Sequence, residues 1–421
     1  MTDLAGDAAL RKARRLAFVL SWVAYATYYF GRKGFGVVKQ PLRHDLGLSE
    51  AQLGAIDTGF LAAYALGQFA SGLLGDRVGA RRLVGYGMLL SAAACALFGS
   101  STSVVALVLL FVVNGAAQST GWPGTTRTMA EWTTPSERGT VMGLWSTCYQ
   151  VGGLLATFAI GEIADRYGWR TSFQWVAGLL LGVGLLVLFF LPTRAVAAVG
   201  STLSDAEGDT RTLPERERAE RRKAQLSVLK SATLWFFGFS YFFVKLIRYA
   251  LLFWLPYYLS SSFDYSTSEA ARLSTAFDAG GIFGVILLGR VSDRSKRFSR
   301  ALLTVFWLIG CVFALAAYAW FGSANVLVSA LLLALVGALL FGPDAMLAGA
   351  AAQDAGGAYA PSLATGFVNG IGSLGALLQG LIVPAIAARF GWHALFPVFV
   401  GFAVLAVLAL LPALRQAPRP H

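Results

Sequence analysis

Long apolar runs alternate with short polar breaks along this chain, and the length of the runs decides the reading. A helix needs about 20 consecutive apolar residues to cross a bilayer. Twelve runs of that order occur, near residues 16–38, 52–75, 82–100, 104–127, 139–161, 172–192, 231–259, 270–291, 300–321, 325–350, 362–387 and 393–414. One long polar segment, 193–230, separates six runs from six, and its stretch PERERAERRKAQ mixes both charge signs as a solvated connector does. The pattern predicts an all-α membrane protein of twelve transmembrane helices. It divides into a first half at 1–192, a linker at 193–230 and a second half at 231–421.

Composition agrees. The chain is 56% hydrophobic and only 13% charged, against roughly 25% charged in an ordinary soluble domain. The net charge of +12 gathers in alternate loops. Arg11, Lys12, Arg14 and Arg15 precede the first run, Arg77, Arg81 and Arg82 follow the second, and Arg127 and Arg138 lie between the fourth and fifth. The linker is basic, and Arg294, Lys296, Arg297 and Arg300 lie between the eighth and ninth runs. The other loops hold few basic residues: Lys39, Arg43, Arg166, Arg170 and Arg389. Basic loops stay inside, so both termini and the linker are expected in the cytoplasm, with the body in a bacterial inner membrane. The first run passes through three tyrosines and Arg32 with no small-residue cleavage site, as a retained span does.

The basic residues are not interleaved with aromatics in any soluble segment, which argues against a nucleic-acid partner. Cys95, Cys148 and Cys311 fall in or near apolar runs, and His44, His393 and His421 are scattered. The sequence holds no metal-ligand cluster, no nucleophile–base pair and no phosphate-binding glycine loop. It therefore reads as a protein that is not an enzyme and needs no cofactor; a monomer is the expected state.

The two halves repeat. GLLGDRVGARR (Gly72 to Arg82) follows the second run and GRVSDRSKR (Gly289 to Arg297) follows the eighth, with Asp76 and Asp293 offset by 217 positions. Arg32 and Arg248, each inside an apolar run, are offset by 216, and so are Tyr25 and Tyr241. A parallel duplication of this kind places the substrate site between the halves near the bilayer midplane. Asp76, Arg77, Asp293 and Arg294 sit at helix ends, where they are expected to latch loops. Glycine-rich runs such as GGLLATF, GGIFGVILLG and GIGSLGALLQG are expected to serve close helix packing.

The arginines carry the chemistry. A charged side chain at membrane depth costs at least about 2.5–3.5 kcal/mol, so such residues usually face a cavity and serve a function. Tyr25, Tyr29 and Arg32 share one helical face at i, i+4, i+7, as do Tyr241, Lys245 and Arg248. Two such stripes suit a phosphate ester, because the planar guanidinium donates parallel hydrogen bonds to phosphate oxygens. The competing reading is internal pairing, for which Asp278 and Asp344 are available; Lys245 is expected either to meet substrate or to pair with one of these acids.

The loop after the second run resembles the major facilitator signature. GWPGTTRTMAEWTTPSERGTVMGLWSTCYQVGG (Gly121 to Gly153), YYFGRKGF (Tyr28 to Phe35) and RLSTAFDAGGIFGVILLGRVSDR (Arg272 to Arg294) resemble segments of the organophosphate:phosphate antiporters. The resemblance implies the major facilitator fold with two pseudo-symmetric halves, and it makes Arg32 and Arg248 the phosphate ligands. It also implies that Tyr25, Tyr29, Tyr64 and Trp122 line the cavity. Gln68 stands where bacterial glycerol-phosphate carriers have a lysine, and Tyr149 where they have a histidine; Lys245, one turn from Arg248, offers a cation in exchange.

The expected function is exchange of a phosphorylated organic metabolite for inorganic phosphate by alternating access. An empty site would press two guanidiniums together, at several kcal/mol for about 4 Å and an effective dielectric near 20; a bound dianion would relieve this. Two other readings stay open: a membrane sensor for a sugar phosphate, and a proton-coupled carrier using Asp278 or Asp344.

Overall fold

A computed structural model describes residues 2–133, 138–193, 230–295, 298–356 and 361–415. Apart from its end residues, the linker expected at 193–230 lies outside them. All regular structure among the described residues is helical. Among the described residues, nine helical stretches are long and apolar enough to cross a membrane. The helices that hold the first two expected spans, α1 (Thr2–Leu46) and α2 (Glu50–Val78), are not among the nine. They carry Arg32, Lys33, Lys39, Asp57 and Gln68 within their apolar stretches.

The chain forms two compact units. The first comprises residues 1–48 and 55–211, the second 49–54 and 212–421. In the first unit, α3 (Ala80–Ser100) is followed by α4 (Val104–Gln118), α5 (Gly121–Trp132), α6 (Arg138–Trp145) and α7 (Thr147–Phe190). Helix α1 packs on α7 and α5, and α3 on α7 and α4. Helix α7 has 44 residues and turns at Gly168, whose φ of 83° favours glycine; it covers the expected fifth span from residue 147 and the sixth as far as Phe190.

Two expected spans are interrupted, for local chemical reasons. The run at 104–127 breaks between α4 and α5, where Ser119 and Thr120 turn their hydroxyls back to the carbonyls of Ala116 and Ala117 at 2.6 and 2.8 Å. Such bonds compete with the helix ladder, and Pro123 just beyond lacks an N–H. The run at 139–161 breaks at Ser146 in the same way, its hydroxyl donating to the carbonyl of Met142 at 2.8 Å.

The second unit contains α8 (Ala232–Phe263), α9 (Thr267–Arg294), α10 (Arg300–Phe321), α11 (Val326–Ala348), α12 (Ala350–Gly356), α13 (Pro361–Phe390) and α14 (Leu395–Leu410). Side-chain caps start several of them: Ser231 on Leu234 N, Ser299 on Leu302 N, Asn325 on Val328 N, and a reciprocal Ser266–Glu269 box at the start of α9. Helix α9 packs on α11, and α13 on α8. A Cβ at Gly280 would lie 1.9 Å from the carbonyl oxygen of Ala334, and one at Gly284 would lie 1.9 Å from that of Ala338. Backbones this close are what small residues four apart permit, as the glycine-rich runs led us to expect. Within this unit Glu50 Oε1 accepts from the Tyr257 hydroxyl at 3.2 Å and from Trp392 Nε1 at 3.0 Å.

Candidate functional site

In the first unit, α1 carries Tyr25, Tyr29 and Arg32 on one face. Arg32 is only 5% exposed. Its guanidinium lies 4.4 Å from the centre of the Tyr64 ring and 4.8 Å from that of Tyr29, a cation–π arrangement that partly offsets lost hydration. Arg32 Nε donates to Gln118 Oε1 at 3.3 Å. Gln118 Nε2 donates to Asn114 Oδ1 at 3.2 Å, and Asn114 Nδ2 to the carbonyl of Gly31 at 3.0 Å. The hydroxyl of Ser91 also donates to Asn114 Oδ1, at 2.6 Å. Arg32 is thus oriented by a chain of neutral amides rooted in its own helix backbone.

The aromatic residues expected to line the cavity cluster beside it. Tyr25 packs edge-on to Trp122 at 5.5 Å and to Tyr29 at 6.0 Å, and Tyr149 stacks on Tyr29 at 6.3 Å. Trp145 joins the same group, 5.5 Å from Tyr25 and 5.8 Å from Trp122. Trp122 keeps 38% of its surface exposed, so one aromatic wall is open. Gln68 is half-buried on α2 and makes no hydrogen bond among the described residues.

In the second unit, Arg248 on α8 forms an ion pair with Asp344 on α11. Its guanidinium also lies 4.3 Å from the centre of the Phe341 ring, which packs on Phe277 at 5.1 Å. The expectation of two uncancelled guanidiniums in an empty site therefore fails for Arg248: a carboxylate already meets its charge. Lys245, one turn earlier, donates to Asn369 Oδ1 at 2.8 Å and to Ser373 Oγ at 3.0 Å, both on α13. Of the two acids named as partners for Lys245, Asp344 pairs with Arg248, and Asp278 is buried on α9 at 7% exposure. Tyr241, 3% exposed, lies beside Asp344. The Tyr241 ring is pressed against α13 so closely that a Cβ at Gly372 would sit 2.3 Å from it.

The loop motif is only partly visible. The side chains of Asp76, Arg77 and Asp293 lie outside the described set, and Arg294 is exposed.

Several neighbours escaped the sequence reading. Asn114 and Gln118 are amides four apart inside an apolar run, a spacing that marks one helical face and was available as a signal. Lys33 is 4% exposed and close to α7, where a Cβ at Gly153 would lie 3.7 Å from its ammonium. Lys39, assigned to a loop from the sequence, instead lies within α1, fully buried in an ion pair with Asp57. Asn369, Ser373 and Phe341 carried no local signal at all.

These features define the class: a helical membrane transporter whose two units each set an arginine against aromatic rings. The Major Facilitator Superfamily model matches residues 21–376, and the chain belongs to that superfamily. Its relatives place it with the organophosphate:phosphate antiporter type. It is 29% identical to a "Probable hexose phosphate transport protein" of Chlamydia trachomatis serovar D, over 97% of this chain and 93% of that one. It is 30% identical to the "Membrane sensor protein UhpC" of Salmonella typhimurium, covering 98% and 94%. It is 31% identical to "Sugar phosphate exchanger 3" of Mus musculus, covering 86% and 79%. Among solved structures, an inward-facing, occupied bacterial homologue of the human lysosomal transporter Spinster matches with a TM-score of 0.78 at 16% identity, over 96% of this chain and 97% of that one. A D-xylose-proton symporter matches with a TM-score of 0.72 at 14% identity, over 96% and 98%. The solved structures speak for the fold alone.

Proposed function

We propose that this protein exchanges a phosphorylated sugar or a related phosphate ester for inorganic phosphate by alternating access, with Arg32 and Arg248 as the phosphate ligands. The observation that carries the reading is Arg32. It is a guanidinium at 5% exposure, held by neutral Gln118 and flanked by tyrosine rings, a setting built for an incoming anion. The relatives from Chlamydia trachomatis and Mus musculus, a probable hexose phosphate transport protein and a sugar phosphate exchanger, support a phosphorylated substrate. Tyr25, Tyr29, Tyr64, Trp122, Tyr149 and Tyr241 supply hydroxyls and ring faces for the organic part; Gln68 and Lys245 adjust its polarity. The protein works as a monomer in a bacterial inner membrane with both termini in the cytoplasm.

The test is uptake of labelled inorganic phosphate into phosphate-loaded liposomes containing the purified protein. Competitors are glucose 6-phosphate, glycerol 3-phosphate, 3-phosphoglycerate and phosphoenolpyruvate. Exchange that one of these inhibits is the expected result and names the substrate class. A second reading, a membrane sensor for a sugar phosphate, is favoured by the 30% identity to the UhpC sensor. Folded protein that binds a sugar phosphate but exchanges nothing would select it.

A further inference from the structure

Two ion pairs among the described residues differ in a telling way. Lys39 and Asp57 are both at 0% side-chain exposure, sealed as a structural pair is. Arg248 and Asp344 retain 15% and 11%, so both remain within reach of solvent or ligand. The Arg248–Asp344 pair is also incomplete. Asp344 Oδ2 accepts from Arg248 Nη1, while Asp344 Oδ1, like Asp57 Oδ1 in the sealed pair, is buried and takes no bond from its cation. A guanidinium and a carboxylate bind most strongly as a two-pronged fork, and a buried oxygen left unsatisfied carries a desolvation penalty. Asp344 is therefore an imperfect counter-ion for Arg248. A phosphoryl group brings three strong acceptor oxygens and up to two charges, and so competes with a single carboxylate for the same guanidinium. Phe341, one turn before Asp344 on α11, flanks the same guanidinium.

Building on the functional reading above, we propose that Asp344 is an internal competitor for the substrate. It holds Arg248 while the site is empty, and the phosphoryl group displaces it. Two consequences follow from the physics. The apparent affinity for phosphate is lowered by the fraction of time Arg248 is held by Asp344. The empty carrier no longer carries a bare guanidinium in the second unit, so its return is eased and exchange is accompanied by measurable net efflux.

The test compares wild type with Asp344→Asn. Asparagine keeps the shape and one acceptor for Arg248 but removes the charge. Binding of inorganic phosphate to the purified full-length protein is measured by equilibrium dialysis, and folding is checked by thermal melting. The variant is expected to bind phosphate on the order of tenfold tighter, the step that corresponds to about 1.4 kcal/mol. In liposomes its ratio of net efflux to exchange is expected to fall below that of wild type, which a purely structural role for Asp344 would not produce. Equal or weaker phosphate binding by folded Asp344→Asn, or an unchanged ratio, overturns the inference. Should that variant fail to fold, Asp344→Ser replaces it with the same expected sign. If wild type and variant both fail to bind phosphate, the functional reading falls and this inference with it. If wild type binds and the variant binds no tighter, the inference alone falls.

Discussion

Lys39 and Asp57 form an ion pair with neither side chain exposed, joining α1 to α2 within the first unit, and Asp57 Oδ1 has no hydrogen-bond partner. Burying two charges is costly, and a pair of this kind is often no better than an apolar one of equal volume. Removing one member is a different matter, because it strands the other and costs about 3–5 kcal/mol. Lys39→Met and Asp57→Leu are each expected to lower the melting temperature of the purified protein sharply. The double variant is expected to recover most of the loss. A double variant as unstable as the sum of the singles would show that the two charges act independently.

Gln118 positions Arg32, and Gly31 positions Gln118. A Cβ at Gly31 would lie 2.7 Å from Gln118 Nε2, so alanine there pushes the amide off the guanidinium. Gln118→Leu and Gly31→Ala are both expected to raise the half-saturating phosphate concentration about tenfold, the worth of one hydrogen bond to a charged group at roughly 1.5 kcal/mol. Phosphate uptake measured at graded concentrations checks this. A normal half-saturation in Gly31→Ala would mean that Gln118 does not orient Arg32.

How much of this was legible in the sequence follows from the range of each interaction. Arg32 and Arg248 announced themselves because a charge in an apolar run is expensive wherever the run packs. Tyr25 and Tyr29 followed from helical spacing along one element. The partners did not. Gln118 meets Arg32 from another helix, Asp344 meets Arg248 across 96 positions of chain, and Asn369 meets Lys245 across 124. Such pairings depend on which faces the packed helices present, and glycine contacts such as Gly152 on Ala26, where a Cβ would lie 2.5 Å from the Ala26 carbonyl oxygen, set that geometry. Lys39 was misplaced for a related reason. It follows a run ending near residue 38, but α1 continues to Leu46, and only the position of Asp57 on α2 shows that the charge is internal.

At the far end of α1, beyond the expected span, Asp45 accepts hydrogen bonds from Arg170 and from Trp169 Nε1, which pull its carboxyl below the usual value of 3.8. A depressed carboxyl pKa stabilises the folded state above the unfolded value and loses that contribution as pH falls through the folded value. The pair is half exposed, so the effect is small, below about 1 kcal/mol. Asp45→Asn is expected to melt slightly lower than wild type near neutral pH, with the difference closing as pH drops below 3.8. Melting curves across that range check it; a difference that persists at the acid end would trace it to packing on Trp169.

Lys245 donates to Asn369 and Ser373, and an ammonium one turn from Arg248 attracts a substrate carboxylate more strongly than a sugar hydroxyl. Lys245→Gln is expected to weaken inhibition of phosphate exchange by 3-phosphoglycerate and phosphoenolpyruvate more than inhibition by glucose 6-phosphate. The extra loss is expected at about tenfold, since a carboxylate forfeits a charge-assisted bond of roughly 1.5 kcal/mol where a sugar hydroxyl forfeits a weaker one. Competition curves in liposomes measure both. Equal losses for the two classes would remove Lys245 from substrate choice.

The two arginines sit in unlike settings, and that predicts unlike tolerance of lysine. Arg32 is held at Nε by Gln118 and lies between two tyrosine rings, so its planar fork is aimed before any ligand arrives. Lysine is a point charge on a flexible stem and reproduces neither the bond at Nε nor two parallel bonds to phosphate. Arg32→Lys is expected to abolish phosphate exchange. Arg248 is bound to Asp344, and lysine at that position would keep an ion pair with Asp344 while losing the geometry that lets phosphate win the competition. Arg248→Lys is therefore also expected to be inactive, but Arg248→Lys combined with Asp344→Asn is expected to regain part of the exchange, because the competitor is gone. Asp344→Asn offers no such rescue to Arg32→Lys, since Asp344 pairs with Arg248, and the hydrogen bond described at Arg32 comes from the neutral amide of Gln118. Exchange rates of the two singles and the two doubles decide the matter: rescue of both arginine variants, or of neither, would contradict the asymmetry between the units.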